Sequence, residues 1–376
     1  MHRRLEAFRS DLSARQIDAA FLHTADNVYY MSGVPLLSAW GRPMWMALGP
    51  DGEATLIGAA IERENMETCS RITDIRVYDD AENVWQTSLR LVRDAIAGWG
   101  RAPARIGVER SLLPVGVFEA AQAAFPGASL IEVGDLVGER RILKSEEELR
   151  LLRLGGDIAR IGAGAFLEAL GDNVTEVAVA AHAVSEMDRA LGALYPDGGT
   201  STYAYCQFGD HTLTPHLHPT GRRLRRGNVV GLNVFPVIWG YCMELERTFV
   251  HRDASAVQQR ALEAVNEAFT TCKAHLAPDV RMSDIDLLAR EILRRHGYES
   301  YIRHGTGHPH GVMIGAAGRE EAGELRVYNT NPLRPHMVNS VEPGIYLPDL
   351  GGFRHSDVMM LTGDGAVCLT DFPLAL

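Results

Sequence analysis

The 376-residue sequence predicts a two-domain chain: an α/β domain over residues 1–138, then an α+β domain over residues 139–376. Three observations predict it. The length exceeds what one small core accommodates. Up to about residue 135, helix-like and strand-like segments alternate. Beyond that point, long amphipathic helices are grouped apart from apolar strands punctuated by Gly and Pro.

In the first domain, Leu5, Phe8 and Leu12 recur at helical spacing on one face. "AAFLH" then reads as a buried strand, and "NVYYMSG" runs into a turn. "MWMALGPDGEATLIGAA" predicts a hairpin around Pro50, Asp51 and Gly52. "VWQTSLRLVRDAIAGW" is a helix and "RIGVE" a strand. "VGVFEAAQAAF" is a helix stopped by Pro126 and Gly127.

In the second domain, Ser145 and Glu148 have the spacing of a capping box, and Leu149, Leu152 and Ile158 continue an apolar face toward Gly171. Further helices are predicted from Thr175 to about Leu191, from Ser255 to Leu276 and from Ser283 to His296. The last two each open on a Ser, with Gln258 or Asp286 three residues on. The strands lie in "RGNVVGLNVFPVIWGYCMELERTFV", with a turn at Trp239-Gly240, in "HMVNSVEPGIYLP", and in "GFRHSDVMMLTGDGAVCL". They predict an antiparallel sheet.

Composition narrows the function classes. Lys plus Arg number 37 against 48 Asp plus Glu, a net charge of −11, with no basic stripe interleaved with aromatics. A nucleic-acid partner is therefore not expected. The basic run "GRRLRRG" reads as a solvated turn. Five scattered cysteines (Cys69, Cys206, Cys242, Cys272, Cys368) lack the spacing of a disulfide framework or a zinc knuckle, and they point to a reducing compartment. No apolar run approaches the ~18 residues of a membrane span, and the first residues show no apolar signal core. A cytoplasmic protein without a membrane partner is expected.

Chemistry-bearing residues gather in four stretches of the second domain. "TPHLHPTGRRL" holds His216 and His218, and "ELERTFV" holds Glu244 and Glu246. "HGTGHPHG" holds His304, His308 and His310, and "NSVEPGIYLP" holds Glu342. Any one of these has an ordinary reading: a loop His is commonly solvated, and Glu246 beside Arg247 could be a weak strand-end ion pair. Their combination argues otherwise. Glu244, Glu246 and Glu342 lie in otherwise apolar strands, where a carboxylate is costly unless it meets a cation.

The order PH-x-x-P, "GY…ERTF", "GTGH", "VEPGIY" and "GFR…D" resembles the pita-bread hydrolases: creatinase, prolidase and aminopeptidase P. "NVYYMSG" and "ILKSEEEL" resemble that family's N-terminal domain and domain junction. The resemblance implies a pita-bread catalytic domain and a homodimer with the active site shared across the interface. Metal-dependent members use Asp, Asp, His, Glu and Glu. The matching positions are Asn233, Glu244, His308, Glu342 and Ser356, so two anionic ligands are missing. A two-metal centre needs carboxylates to offset and bridge its dications. No metal ligand and no cofactor is therefore expected. One ion on Glu244, His308 and Glu342 is the alternative.

"GLNVFPVIWGYCMELERTFV" resembles the metal-independent creatinase branch. That resemblance implies His216 as the acid/base, with Glu246 and Glu342 gripping a substrate cation. It also implies Arg319, Arg42 and Trp40 as substrate-binding residues, the last two reaching the partner subunit's site. Cys242 stands where creatinase has a pocket Tyr, Ser356 where it has a His, and Gly315 where the family has a second His after "GH". Glu244 adds a carboxylate, and with His308 it completes the expected pocket. The expectation is a hydrolase cleaving a C–N bond of a small guanidino or amidino acid, creatine-like or a cyclic amidine such as ectoine. The alternatives are an Xaa-Pro dipeptidase or aminopeptidase with a degenerate single-metal site, and a catalytically dead ligand-binding homologue.

Overall fold

The computed structural model describes residues 2–35, 42–100, 102–195, 201–315 and 321–375. The chain forms two compact units, Met1–Arg141 with Val312–Gly318, and Ile142–Gly311 with Arg319–Leu376. The boundary expected at 138/139 falls inside a helix, Gly134–Ile142. Among the described residues no helix is long and apolar enough to cross a membrane.

The first unit contains α1 (His2–Ala14), β1 (Ala19–Leu22), α2 (Ala25–Ser32), β2 (Trp45–Leu48), β3 (Ala54–Ala59), α3 (Arg63–Cys69), β4 (Asp74–Tyr78), α4 (Val84–Gly98), β5 (Arg105–Val108), α5 (Val115–Ala124), β6 (Ser129–Glu132) and α6 (Gly134–Ile142). Its strands order β4-β3-β2-β1-β5-β6. The β2–β3 hairpin and its β1 neighbour are antiparallel, whereas β4, β5 and β6 add in parallel. Phe21, Trp45, Ile57, Val92, Ile106 and Ala121 are buried together in the core.

"NVYYMSG" is the helix α2 rather than an approach to a turn. The helix ends at Gly33, whose φ of 78° lets it close the last turn. Its start is held by the buried carboxylate of Glu109, which accepts hydrogen bonds from Thr24 N (2.8 Å), Thr24 Oγ1 (2.5 Å) and Asn27 Nδ2 (2.6 Å). The return segment joins the same helix: Asp26 Oδ1 accepts from Ile314 N (2.8 Å) and Gly315 N (2.9 Å). Gly315 is thus fastened to Asp26.

The second unit contains α7 (Glu146–Glu168), α8 (Glu176–Leu194), β7 (Tyr203–Phe208), β8 (Val229–Phe235), β9 (Val237–Ile238), β10 (Tyr241–Cys242), β11 (Leu245–Val250), α9 (Ala256–His275), α10 (Met282–Arg295), β12 (Val338–Val341), β13 (Gly344–Leu347), β14 (Gly351–Arg354), β15 (Asp357–Leu361) and β16 (Ala366–Cys368). Its strand pairs are antiparallel. Both Ser145/Glu148 and Ser255/Gln258 form reciprocal capping boxes. Ser283 and Asp286 do not. Helix α10 begins one residue earlier, after Arg281, and buried Asp286 instead accepts from Thr306 Oγ1 (2.7 Å) and Val327 N (3.0 Å). A carboxylate committed to the "HGTGH" loop cannot also cap its helix.

Helices α7 and α8 bury Ile158, Phe166, Val179 and Met187 against Cys206, Leu232 and Leu245 of the sheet β7-β8-β11. Helices α9 and α10 bury Val265, Phe269 and Ile285 against Val341, Ile345, Phe353 and Met359 of strands β12 to β15. On β11, Arg247 faces Asp357 rather than Glu246. Its Nη2 donates to Asp357 Oδ1 (2.8 Å) and Phe372 O (2.7 Å), its Nε to Pro373 O (3.2 Å) and its Nη1 to Glu246 O (2.8 Å). The wholly buried guanidinium therefore ties the strand to the tail.

Candidate active site

Tyr205 of β7, Asn233 of β8 and Glu246 of β11 lie in one row across the sheet. Strand β11 bridges to residue 356: Glu246 N donates to Ser356 O (3.1 Å) and Ser356 N to Glu246 O (2.9 Å). Alternation along β11 turns Glu246 to the face opposite Arg247. The β13–β14 hairpin supplies Arg354, and the residue after β12 is Glu342, whose N–H donates to Thr306 O (2.6 Å). The "GTGH" loop presses on β12, with Ser340 N donating to His308 O (2.8 Å). A Cβ at Gly307 would stand 2.0 Å from Ser340 O, so only glycine permits that approach.

Glu244, Glu246, Glu342, His308, His310, Asn233, Arg354 and Ser356 are all buried here. Arg354 Nη2 donates to Glu246 Oε1 and to Asn233 Oδ1 (3.2 Å), and its Nη1 lies 3.9 Å from Glu342 Oε2. Glu246 Oε2 is buried with no hydrogen-bond partner among the described residues. Burial raises the Glu246 carboxyl to about 8. Arg354 opposes the rise, and Glu244 and Glu342 reinforce it. Glu244 goes the other way. Burial works against its ionisation, yet His308 and His310 hold it well below the usual carboxylate range.

The two imidazoles have a fixed orientation. His308 Nδ1 is 3.0 Å from Pro309 O, and His310 Nδ1 is 3.1 Å from Cys242 O. A carbonyl only accepts, so each Nδ1 carries the proton and each Nε2 faces Glu244, at 3.5 Å and 3.6 Å. His308 Nε2 is also 3.7 Å from Glu342 Oε1. Two Nε2 atoms converging on a carboxylate call for a cation, either a further proton or a metal ion. The Glu244, His308 and His310 ligand atoms lie within 4.8 Å of one another.

That set fits one divalent ion and does not fit two. Asn233 Oδ1 is taken by Arg354 and its amide donates to Gln207 Oε1 (2.8 Å), while the Ser356 hydroxyl donates to Glu244 Oε1 (2.7 Å). Backbone carbonyls orienting both imidazoles are the surroundings that metal-binding histidines require. His310, which the sequence reading left outside the pocket, is thus part of it, and Arg354 is the guanidinium between its carboxylates.

His216 lies in a loop rather than a strand and is exposed, as is His218. Both rings sit near Tyr205, with centroids 6.5 Å and 5.4 Å away respectively. Cys242 is buried, and burial lifts its thiol to about 12, so it offers an uncharged wall. Arg42 forms an ion pair with Asp80 in its own unit, donating from Nη2 at 2.5 Å. Trp40 and Arg319 lie outside the described residues.

Comparison with known proteins shows the family. Residues 150–363 match "Metallopeptidase family M24" and residues 4–143 match "Creatinase/Prolidase N-terminal domain". The chain belongs to family M24. The M24 architecture of a creatinase-type N-terminal domain and a pita-bread C-terminal domain is therefore its fold, as expected. Creatinase from Bacillus sp. (strain B-0618) is 31% identical over 386 residues, covering 99% of this chain and 91% of that one. The protein YkvY of Bacillus subtilis (strain 168), provisionally named a dipeptidase, is 28% identical over 370 residues, covering 98% of each. The prolidase from Pyrococcus horikoshii OT3 superposes with a TM-score of 0.85 at 24% identity, covering 99% of each chain. This M24 chain is a hydrolase of the creatinase/prolidase group.

Proposed function

We propose that the chain hydrolyses a C–N bond in a small guanidino or amidino acid, with the substrate's cation received by Glu246 and Glu342. The observation that carries this reading is the buried Glu246 Oε2, without a hydrogen-bond partner among the described residues, beside Glu244, Glu342 and the Arg354 guanidinium. A planar cation entering there gains charge-assisted hydrogen bonds and relieves the carboxylate crowding. His216, whose ring lies 6.5 Å from that of Tyr205, is assigned in this reading to take a proton from water and return it to the departing nitrogen. The 31% identity to creatinase over nearly the whole chain supports the same reading.

A second reading has its own support: an Xaa-Pro-type dipeptidase using one metal ion. It rests on the convergence of Glu244, His308 and His310 and on the likeness to a protein named as a dipeptidase. The match to a metallopeptidase family together with that relative backs this reading better than the first. Those three residues would hold the ion, which would supply a Lewis acid and a water of lowered pKa.

Untagged protein screened by thermal shift against guanidino acids, cyclic amidines and Xaa-Pro dipeptides separates the two, because a ligand of the native state raises Tm. The expected result is stabilisation by an amidine or guanidine, followed by turnover that survives EDTA. Turnover of Xaa-Pro dipeptides alone, abolished by EDTA, would transfer the assignment to the second reading. We also propose that the chain acts as a homodimer, and light scattering at twice the 41.2 kDa chain mass checks this.

A further inference from the structure

Gln207 of β7 is almost completely buried, and all its amide hydrogen-bonding groups are engaged. Its Nε2 donates to Pro215 O (3.2 Å) and Leu217 O (2.9 Å), the carbonyls on either side of His216. Two carbonyl acceptors fix which end of the amide is nitrogen, so Oε1 must face the other way. There it accepts from Asn233 Nδ2 (2.8 Å). Asn233 Oδ1 in turn accepts from Arg354 Nη2 (3.2 Å), which also donates to Glu246 Oε1.

An unbroken chain of hydrogen bonds thus runs from the His216 loop through Gln207, Asn233 and Arg354 to Glu246. Gly231, paired with Gln207 across the strands, keeps its path open: a Cβ there would stand 2.9 Å from Gln207 Oε1. The chemistry tolerates no acid at 233. An aspartate would set acceptor against acceptor at Gln207 Oε1, and turning the Gln207 amide over would aim its oxygen at two backbone carbonyls.

We propose that Gln207 and Asn233 are positioning residues that hold the His216 loop in register with the Glu246 carboxylate. This inference rests on the reading that His216 is the acid/base. The chain transmits position, so its loss should fall on kcat more than on KM. Small misplacements of a reacting group can cost about 10²-fold.

The test uses full-length Gln207→Glu, Asn233→Asp and Gly231→Ala. Hydrogen exchange followed by mass spectrometry reads the peptide spanning Thr214–Thr220, in which Leu217 N donates to Thr214 O in the native chain (2.9 Å). Exchange there should quicken about tenfold or more in each variant that folds, with α9 unchanged as the control. With creatine and glycyl-proline as probe substrates, kcat for whichever is hydrolysed should fall about 10- to 100-fold while KM stays within about twofold. Unchanged exchange across Thr214–Thr220 overturns the proposal, as does a loss confined to KM. If neither probe turns over, the exchange result alone decides. Quickened exchange together with full turnover in His216→Ala would leave the hydrogen-bond chain standing and remove the assignment of His216.

Discussion

The sharpest quantitative prediction concerns His355, between Arg354 and Ser356. Its ring is wholly buried against Phe269, its Nδ1 accepts from Thr248 N (3.4 Å), and its Nε2 has no hydrogen-bond partner among the described residues. Burial pushes the imidazole down to about 3, and the nearby Arg247 and Lys273 push the same way. An imidazole with a depressed folded pKa binds its proton preferentially in the unfolded chain. Its neutral form is therefore no penalty above pH 6.5, and stability drains away as the pH falls from 6.5 toward 3.

Between pH 7 and pH 4.5 this one group should cost about 2.5 kcal/mol, at about 1.4 kcal/mol per pH unit once the unfolded imidazole is protonated. His355→Asn keeps an acceptor for Thr248 N and removes the titration. Urea unfolding of both chains at half-unit pH steps gives the comparison, with exchange of Asp357–Leu361 reporting the second unit. The variant is less stable at pH 7 because it leaves a cavity. The gap between the curves should close by about 2.5 kcal/mol on going to pH 4.5. Curves that stay parallel would refute the buried-neutral assignment.

Three further outcomes are expected. His216→Ala should lower kcat by about 10²–10⁴-fold with binding preserved, whereas His218→Ala should leave the rate near that of the native chain; equal losses would point to the wrong imidazole. Zinc titrated calorimetrically into metal-stripped protein should bind at no more than one equivalent, and His310→Ala should weaken it by about tenfold or more, while two equivalents would contradict the ligand losses at Asn233 and Ser356. Gly352→Ala should destabilise the second unit by about 1–3 kcal/mol in the same urea assay, because its Cβ would meet Thr212 O at 2.1 Å.

What was legible in the sequence was local. The Ser145 and Ser255 capping boxes, the Trp239-Gly240 turn and the helical faces depend on residues a few positions apart, and all of them formed. Asp286 had the right spacing for a cap and went elsewhere, because a buried carboxylate follows the strongest donors within reach, here Thr306 and Val327. "NVYYMSG" is helical because Glu109, far along the chain, receives the helix start. The same holds at the site. Glu244, Glu246 and Glu342 stand out as charges in apolar runs, and His308 stands out within "GTGH". His310, Arg354 and Gln207 acquire their places only once the loop, the β13–β14 hairpin and β7 close around them.

The tail carries a consequence for anyone shortening this chain. Phe372 and Pro373 provide acceptors for a guanidinium that no solvent reaches, and the same Arg247 holds the backbone of Glu246. Cutting before Phe372 would leave part of that buried charge without partners, and the strain would be delivered to the neighbouring pocket residue. A truncation that looks remote from the chemistry on paper would thus register as damaged activity, and trimming for crystallisation should begin after Pro373.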